Sequence, residues 1–256
     1  SLTLTGKLVF DQAQALLNQV NVMHDTIIRA INTEKRPFSV GFVSSIMFTR
    51  LPSIIRDFRQ STQNIELTLT ELVTMEQIEA LKDGRIDVGF GRLRIEDSAI
   101  RRVVMRNERL IVALPERYAP ADLHTSLSLH EVARWPLILY PRQPRPSYLD
   151  QVQALLHDYD IIPRTVYEVR ELQIAIGLVA AEEGVCIVPD SVRRLQVEGV
   201  RYYELAEDAF SPIIMSYRAR DNSSELISMI ESLSRLYSQW GYDIPGPLRL
   251  SESTRS

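Results

Sequence analysis

The sequence predicts an α/β protein of two parallel-sheet lobes behind one long helix, and three observations carry that reading. A strand–helix–strand–helix–strand order runs from Phe38 to Phe90 and returns about 100 residues later, from Leu137 to Val188. Parallel strands need crossovers, so each run closes into its own sheet. A heptad spacing precedes the first run. An amphipathic stretch, Ser224–Trp240, closes the pattern and returns to the first lobe.

Taken in order, residues 6–33 come first. Val9, Ala13, Leu16, Val20, Met23, Ile27 and Ala30 follow a 4-3-4-3-4-3 spacing, the a/d seam of a paired helix. Asp11, Gln12, Asn18, Gln19, Asp25 and Arg29 fall on other faces. Such a helix reaches about 42 Å at ~1.5 Å per residue. The polar run Asn32–Pro37 detaches it from the first lobe, which favours a dimer seam over packing on its own domain. The first lobe then reads as strand Phe38–Phe42, helix Ile46–Gln60, strand Ile65–Leu69, helix Met75–Lys82 and strand Ile86–Phe90. The second repeats it as Leu137–Tyr140, Tyr148–Asp158, Arg164–Glu168, Leu172–Glu182 and Val185–Val188. Gly84 and Gly184 each follow a helix, where a residue past the C-cap often needs positive φ. The chain crosses between lobes near Arg106–Leu110, where Leu110–Leu114 begins a strand, and returns near Ser211–Arg218.

Composition narrows the function. The 256 residues are 45% hydrophobic and 24% charged, with 29 Lys+Arg against 33 Asp+Glu and a net charge of −4. A chain that gripped DNA by itself would show a basic surplus, so most of this one is not a nucleic-acid platform. The lone Cys186 sits in an apolar run and reads as a buried, inert thiol. It leaves no internal disulfide and no CxxC metal site, which fits a reducing compartment. No apolar run reaches the roughly 18 residues of a membrane span, and no secretory h-region opens the chain. A cytoplasmic location is expected.

Catalytic patterns are missing. The four histidines (His24, His124, His130 and His157) are scattered, with no HExxH, GxSxG, GxGxxG or GKS/T pattern. No enzyme, metal site or cofactor is therefore expected. The segments after the strands look built for an anion instead. Ser44 and Ser45 open the first helix, Thr74 the second, and Ser147–Tyr148 the matching helix of the second lobe. Helix starts offer unpaired N–H groups and partial positive charge. Each hydroxyl alone could be a plain N-cap; together they line the mouth of one cleft, where open α/β sheets bind ligands. Arg92, Arg94, Arg106 and Arg109 cluster nearby. Arg94, Arg101 and Arg102 read as a solvated face, whereas Arg106 at the crossing can fork onto a carboxylate.

Several stretches resemble the LysR-type transcriptional regulators. Leu4-Thr5-x-x-Leu8 is similar to the end of that family's DNA-binding wing. Gly84-Arg85-Ile86-Asp87-Val88-Gly89-Phe90 and Gly177–Val185 with Val188-Pro189 resemble its regulatory-domain hallmarks. The resemblance covers essentially the whole chain. A narrower likeness is to the cis,cis-muconate-responsive regulators of catechol and benzoate catabolism, through Gly41–Ile46, Gly91–Leu93, Arg106–Leu110, Leu139–Pro141 and Glu168–Glu171.

The resemblance implies two Rossmann-like lobes of the periplasmic-binding-protein type II kind behind a linker helix. It divides the chain into a remnant of a winged helix-turn-helix (1–5), a dimerisation helix (6–33), lobe 1 (37–107 and 213–244), lobe 2 (108–212) and a tail (245–256). It implies a small dicarboxylate effector, cis,cis-muconate or a substituted muconate, held by Ser45, Thr74 and the aromatic at Tyr148, and the helix-start reading adds Ser44 and Ser147 beside them. A deeper benzoate pocket would use Arg106, with Arg92 and Glu171 as a charge pair linked to it. Promoter DNA would be bound through the winged helix-turn-helix, and subunits would pair into dimers and tetramers. In the relatives an aromatic that looks like Phe matches Tyr148, so a phenol is new at the cleft wall. The benzoate responder's last-helix tyrosine matches Gln239 without gaps, with Tyr237 close by. Two other readings share the two-lobed plan. A transporter's solute-binding protein is opposed by the heptad and the lack of a signal peptide. A small-acid enzyme is opposed by the lack of a positioned acid–base pair.

Overall fold

A computed structural model describes residues 36–62, 64–122 and 125–248, and the isolated positions 3, 6, 9, 13, 16, 20 and 23. Strand β1 (Arg36–Phe42) pairs in parallel with β2 (Ile65–Glu71) and with β3 (Val88–Gly91). Helix α1 (Leu51–Ser61) makes the first crossover and α2 (Thr74–Lys82) the second. The expected helix Ile46–Gln60 is split in two: a 3-10 turn over Ser44–Phe48, then α1. Pro52 is the cause. It has no N–H to donate and its ring would clash with the carbonyl four residues back, so a helix can begin there but not run through.

The repeat begins after β4 (Ile100–Pro115) and a short helix α3 (Leu129–Val132). Strands β5 (Leu137–Leu139) and β6 (Val166–Glu168) pair in parallel across α4 (Tyr148–Asp158), and α5 (Leu172–Ala180) leads to β7 (Cys186–Pro189). Leu137 bridges Val185 in parallel. Then β8 (Val200–Glu204), β9 (Phe210–Arg218) and α6 (Ser224–Gln239) complete the chain. Neither lobe is purely parallel. Lobe 1 runs β2-β1-β3-β9-β4, with β9 antiparallel to both neighbours, and β7 and β8 flank β4 antiparallel in lobe 2.

The lobes are joined by one strand. β4 pairs with β9 over Ile100–Arg109 and with β7 and β8 over Leu110–Pro115, with a register shift between Val104 and Arg106. Each lobe keeps its own core. Phe38, Val40, Phe58, Met215, Met229 and Leu233 are buried in the first, and Ile111, Val112, Leu149, Ile176 and Val188 in the second. Phe48 in the 3-10 turn packs on the second core although it belongs to the first run.

Two boundary expectations change. Gly84 does take positive φ (74°), but after α5 the left-handed residue is Glu182 (62°), not Gly184. At Gly184 the need is space, since an added Cβ would stand 2.4 Å from the Pro136 carbonyl oxygen. The expected tail starting at 245 is partly core, with Leu248 buried and its carbonyl accepting from the Ser234 hydroxyl at 3.2 Å. Of the expected 6–33 helix, Gly6, Val9, Ala13, Leu16, Val20 and Met23 are helical, with Val9, Leu16, Val20 and Met23 exposed. Its remaining positions lie outside the described residues, as do residues 249–256.

Candidate functional site

The carboxyl ends of β1, β2 and β3 face those of β5 and β6 across a cleft of about 630 Å³. Ser44, Ser45, Thr74, Ser147, Tyr148, Arg92 and Glu171 all line it. Arg106 does not; it lines a second pocket of about 330 Å³ inside lobe 1.

The cleft hydroxyls are not plain N-caps at the first two helix starts. Val43 and Val73 hold the cap positions, which frees the hydroxyls one or two residues further on. Ser45 Oγ accepts from Arg92 Nε at 2.8 Å, and Thr74 Oγ1 accepts from the Arg92 backbone N–H at 3.4 Å. Gln77 steadies this corner by donating to the Leu72 and Phe90 carbonyls at 2.8 and 3.1 Å. Gly91 makes the close approach possible, because a Cβ there would meet Thr74 Oγ1 at 2.8 Å. In lobe 2, Ser147 caps α4 and its hydroxyl donates to the Pro141 carbonyl at 2.8 Å. The Tyr148 hydroxyl donates inward to the Ile187 carbonyl at 3.3 Å, so the new phenol is not spent on the cleft.

Arg92 is 3% exposed and pairs with Glu108 at 2.7 Å. This corrects the expected Arg92–Glu171 pair. Glu171 caps α5 and its side chain is exposed, while Glu108 arrives from β4, directly beneath the cleft. Glu108 also accepts from the Ser191 backbone N–H at 2.7 Å, and the Ser191 hydroxyl donates to the Ser45 carbonyl at 3.5 Å. Ser45, Arg92, Glu108 and Ser191 thus close a ring of hydrogen bonds that spans both lobes. Burial pushes the Glu108 carboxyl upward, but the Arg92 charge and the Ser191 donors outweigh it and hold it below the usual carboxylate range. Arg92 Nη1 is buried without a hydrogen-bond partner among the described residues. The site therefore presents guanidinium and hydroxyl donors around a cation already paired with Glu108.

In the second pocket Arg106 lies 5.6 Å from the Tyr242 ring centroid, and Arg50 stacks on Trp240 and Tyr242 at 4.6 and 5.3 Å. Tyr237 and Leu233, and not Gln239, line this pocket from the last helix, and burial pushes the Tyr237 phenol up to about 12. Arg102, expected on a solvated face, is half-buried and donates to the Leu93 and Ile95 carbonyls, tying down the segment after Arg92. Sequence reasoning missed Glu108, Ser191, Gln77 and Tyr140. The signal for Glu108 was a carboxylate flanked by arginines at the lobe crossing.

Two α/β lobes, joined by a shared strand and closed on a donor-lined cleft, define a two-lobed small-molecule-binding protein. The family described as the LysR substrate binding domain matches residues 32–236, and the chain belongs to the LysR family of transcriptional regulators. It is similar to the probable cat1 operon transcriptional activator of Acinetobacter lwoffii, 41% identical over 235 residues that cover 91% of this chain and 77% of the relative. It is also similar to the HTH-type transcriptional regulator BenM of Acinetobacter baylyi, 37% identical over 242 residues covering 94% and 79%. The effector binding domain of BenM with its effector benzoate has a TM-score of 0.78 at 37% identity, covering 86% of this chain and all (100%) of that one. These relatives are transcriptional regulators, which sets aside the transporter and enzyme readings. Among the described residues no helix is long and apolar enough to cross a membrane.

Proposed function

We propose that the chain is the effector-sensing part of a cytoplasmic transcriptional regulator of aromatic catabolism, and that its effector is cis,cis-muconate or a substituted muconate bound between the lobes. One observation carries this reading: a cationic nitrogen, Arg92 Nη1, is buried without a partner in a cleft that also holds the hydroxyls of Ser45 and Thr74. An ionised carboxylate costs several kcal/mol to bury alone and pairs naturally with such a group. One carboxylate meets Ser44, Ser45, Thr74 and Arg92, and the other faces the start of α4 at Ser147 and Tyr148. Binding shifts the population between two lobe arrangements. Subunits pair through residues 6–33, with the two lobes divided as the resemblance implies, and assemble into tetramers that engage promoter DNA through a winged helix-turn-helix. The presence of Arg106 and Tyr237 in one pocket favours a second site for an aromatic carboxylate such as benzoate.

Isothermal titration tests the reading. The Ser45 hydroxyl keeps a proton to donate while it accepts from Arg92. Ser45→Ala should weaken muconate binding roughly 10- to 150-fold, the equivalent of about 1.5–3 kcal/mol. Arg106→Met should leave muconate affinity within a few-fold and abolish binding of benzoate. Equal losses of muconate affinity in both variants would mean one shared site; no loss in Ser45→Ala would place the effector elsewhere.

A further inference from the structure

Tyr140 closes β5 at the cleft wall and is 6% exposed. Its ring packs on Tyr148 at 5.2 Å between centroids, which fixes where its hydroxyl lies. That hydroxyl is buried and has no hydrogen-bond partner among the described residues. Other phenols of lobe 2 are satisfied: the buried Tyr148 donates to Ile187 O at 3.3 Å, the half-buried Tyr202 to Leu195 O at 2.7 Å and the buried Tyr203 to Pro120 O at 2.8 Å. A buried, unpaired phenol costs about 1–3 kcal/mol, so one at a cleft wall calls for an explanation. Burial, with Tyr148 and Cys186 adding to it, pushes the Tyr140 phenol well above its ordinary value, so it stays a hydrogen-bond donor at neutral pH. The Arg92 charge reaches the same phenol from the opposite lobe, and Arg92 Nη1 is the other unpaired donor of this cleft.

Two unpaired donors on opposite walls need an acceptor that neither lobe supplies. We infer that an anionic oxygen of the effector is held between the Tyr140 hydroxyl and Arg92 Nη1, which makes Tyr140 a specificity-determining residue that selects ligands ending in a carboxylate at this point. The inference rests on the inter-lobe effector reading above and adds a contact from lobe 2 to it. The ligand then satisfies in one step the two groups that the unliganded cleft leaves unpaired, and it ties β5 to the Ser45–Arg92–Glu108–Ser191 ring. Tyr148 supplies packing there, since its hydroxyl is already engaged inside lobe 2.

Tyr140→Phe removes one oxygen and keeps the ring, so titration of the folded chain with cis,cis-muconate tests the contact directly. We expect affinity to fall roughly 10- to 150-fold, as for a hydrogen bond to a charged group. Tyr203→Phe, which removes a hydroxyl that donates to the Pro120 carbonyl outside the cleft, should change it by no more than a few-fold. The melting temperature of ligand-free Tyr140→Phe should be unchanged or higher, because an unpaired buried hydroxyl has gone; a purely structural hydroxyl would lower it. The monomethyl ester of muconate, which has lost one of the two charges, should show a smaller parent-to-variant difference than the diacid. If the parent binds muconate and Tyr140→Phe binds it equally well, the inference falls while the effector reading stands. If the parent binds no muconate, the effector reading falls and takes the inference with it.

Discussion

Glu108 holds a negative charge where water cannot reach it, and only Arg92 and Ser191 make that tolerable. Removing one member of a buried ion pair typically costs about 3–5 kcal/mol, because the survivor stays buried and charged. Glu108→Gln should therefore lower stability by about that amount at neutral pH. The sign of the pH dependence comes from the lowered folded pKa. The stability Glu108 contributes is fully present above the unfolded carboxylate value of about 4.3, and it is lost as pH falls through the folded value. Denaturant unfolding of parent and variant should differ at pH 7 and converge towards pH 3; an undiminished gap in acid would show that the carboxylate charge is not the cause. The hydroxyls of Ser45 and Thr74 were legible because they come after strands at helix starts, a position read from local order alone. Glu108 and Tyr140 were not. The pairing of Arg92 with Glu108 rather than Glu171 depends on where β4 passes under the cleft, and an unpaired phenol shows itself only once its surroundings are folded around it.

At the level of elements, two glycines near α5 make opposite predictions. A Cβ at Gly184 would press on the Pro136 backbone carbonyl at 2.4 Å, and backbone cannot move aside as a flexible side chain can. Gly184→Ala should cost about 1–3 kcal/mol, as overpacking does. Gly177, inside the helix, has nothing within 4 Å of an added Cβ, so Gly177→Ala should add about 0.5–1 kcal/mol through helix propensity. Thermal melting of the two variants should move in opposite directions, and a fall in both would refute this account of the packing. The alternating strands and helices could be read because apolar runs such as Leu110–Leu114 and Leu137–Tyr140 announce buried strands. The full length of β4 could not. Arg101, Arg102, Arg106 and Arg109 interrupt its pattern, because one face of Ile100–Arg109 meets solvent or the second pocket. The break before α1 needed the steric rule for Pro52 to override an apolar periodicity that runs straight through it.

For the whole molecule, Val9, Leu16, Val20 and Met23 form an exposed apolar stripe at heptad spacing. If that stripe pairs subunits, Leu16→Asp with Val20→Asp should shift sedimentation at low concentration towards the monomer, and an unchanged distribution would remove the seam from the assembly. The parent lobes themselves cannot come apart so simply. The sixteen residues of β4 run through both sheets, Ile100–Arg109 in one and Leu110–Pro115 in the other, so melting either lobe frays the strand on which the other lobe is built. Independent cores should for this reason behave as a single cooperative unit. The two tryptophans offer a direct check, since Trp135 packs on the lobe 2 core and Trp240 on the lobe 1 core. Fluorescence melts of Trp135→Phe and Trp240→Phe, each reporting on one lobe, should each superimpose on its own far-ultraviolet circular dichroism melt, as coincident probes do in a two-state transition. A chain wired this way has no half-folded state in which one lobe waits for the other, and proteolysis should find either the intact body or the fully opened chain.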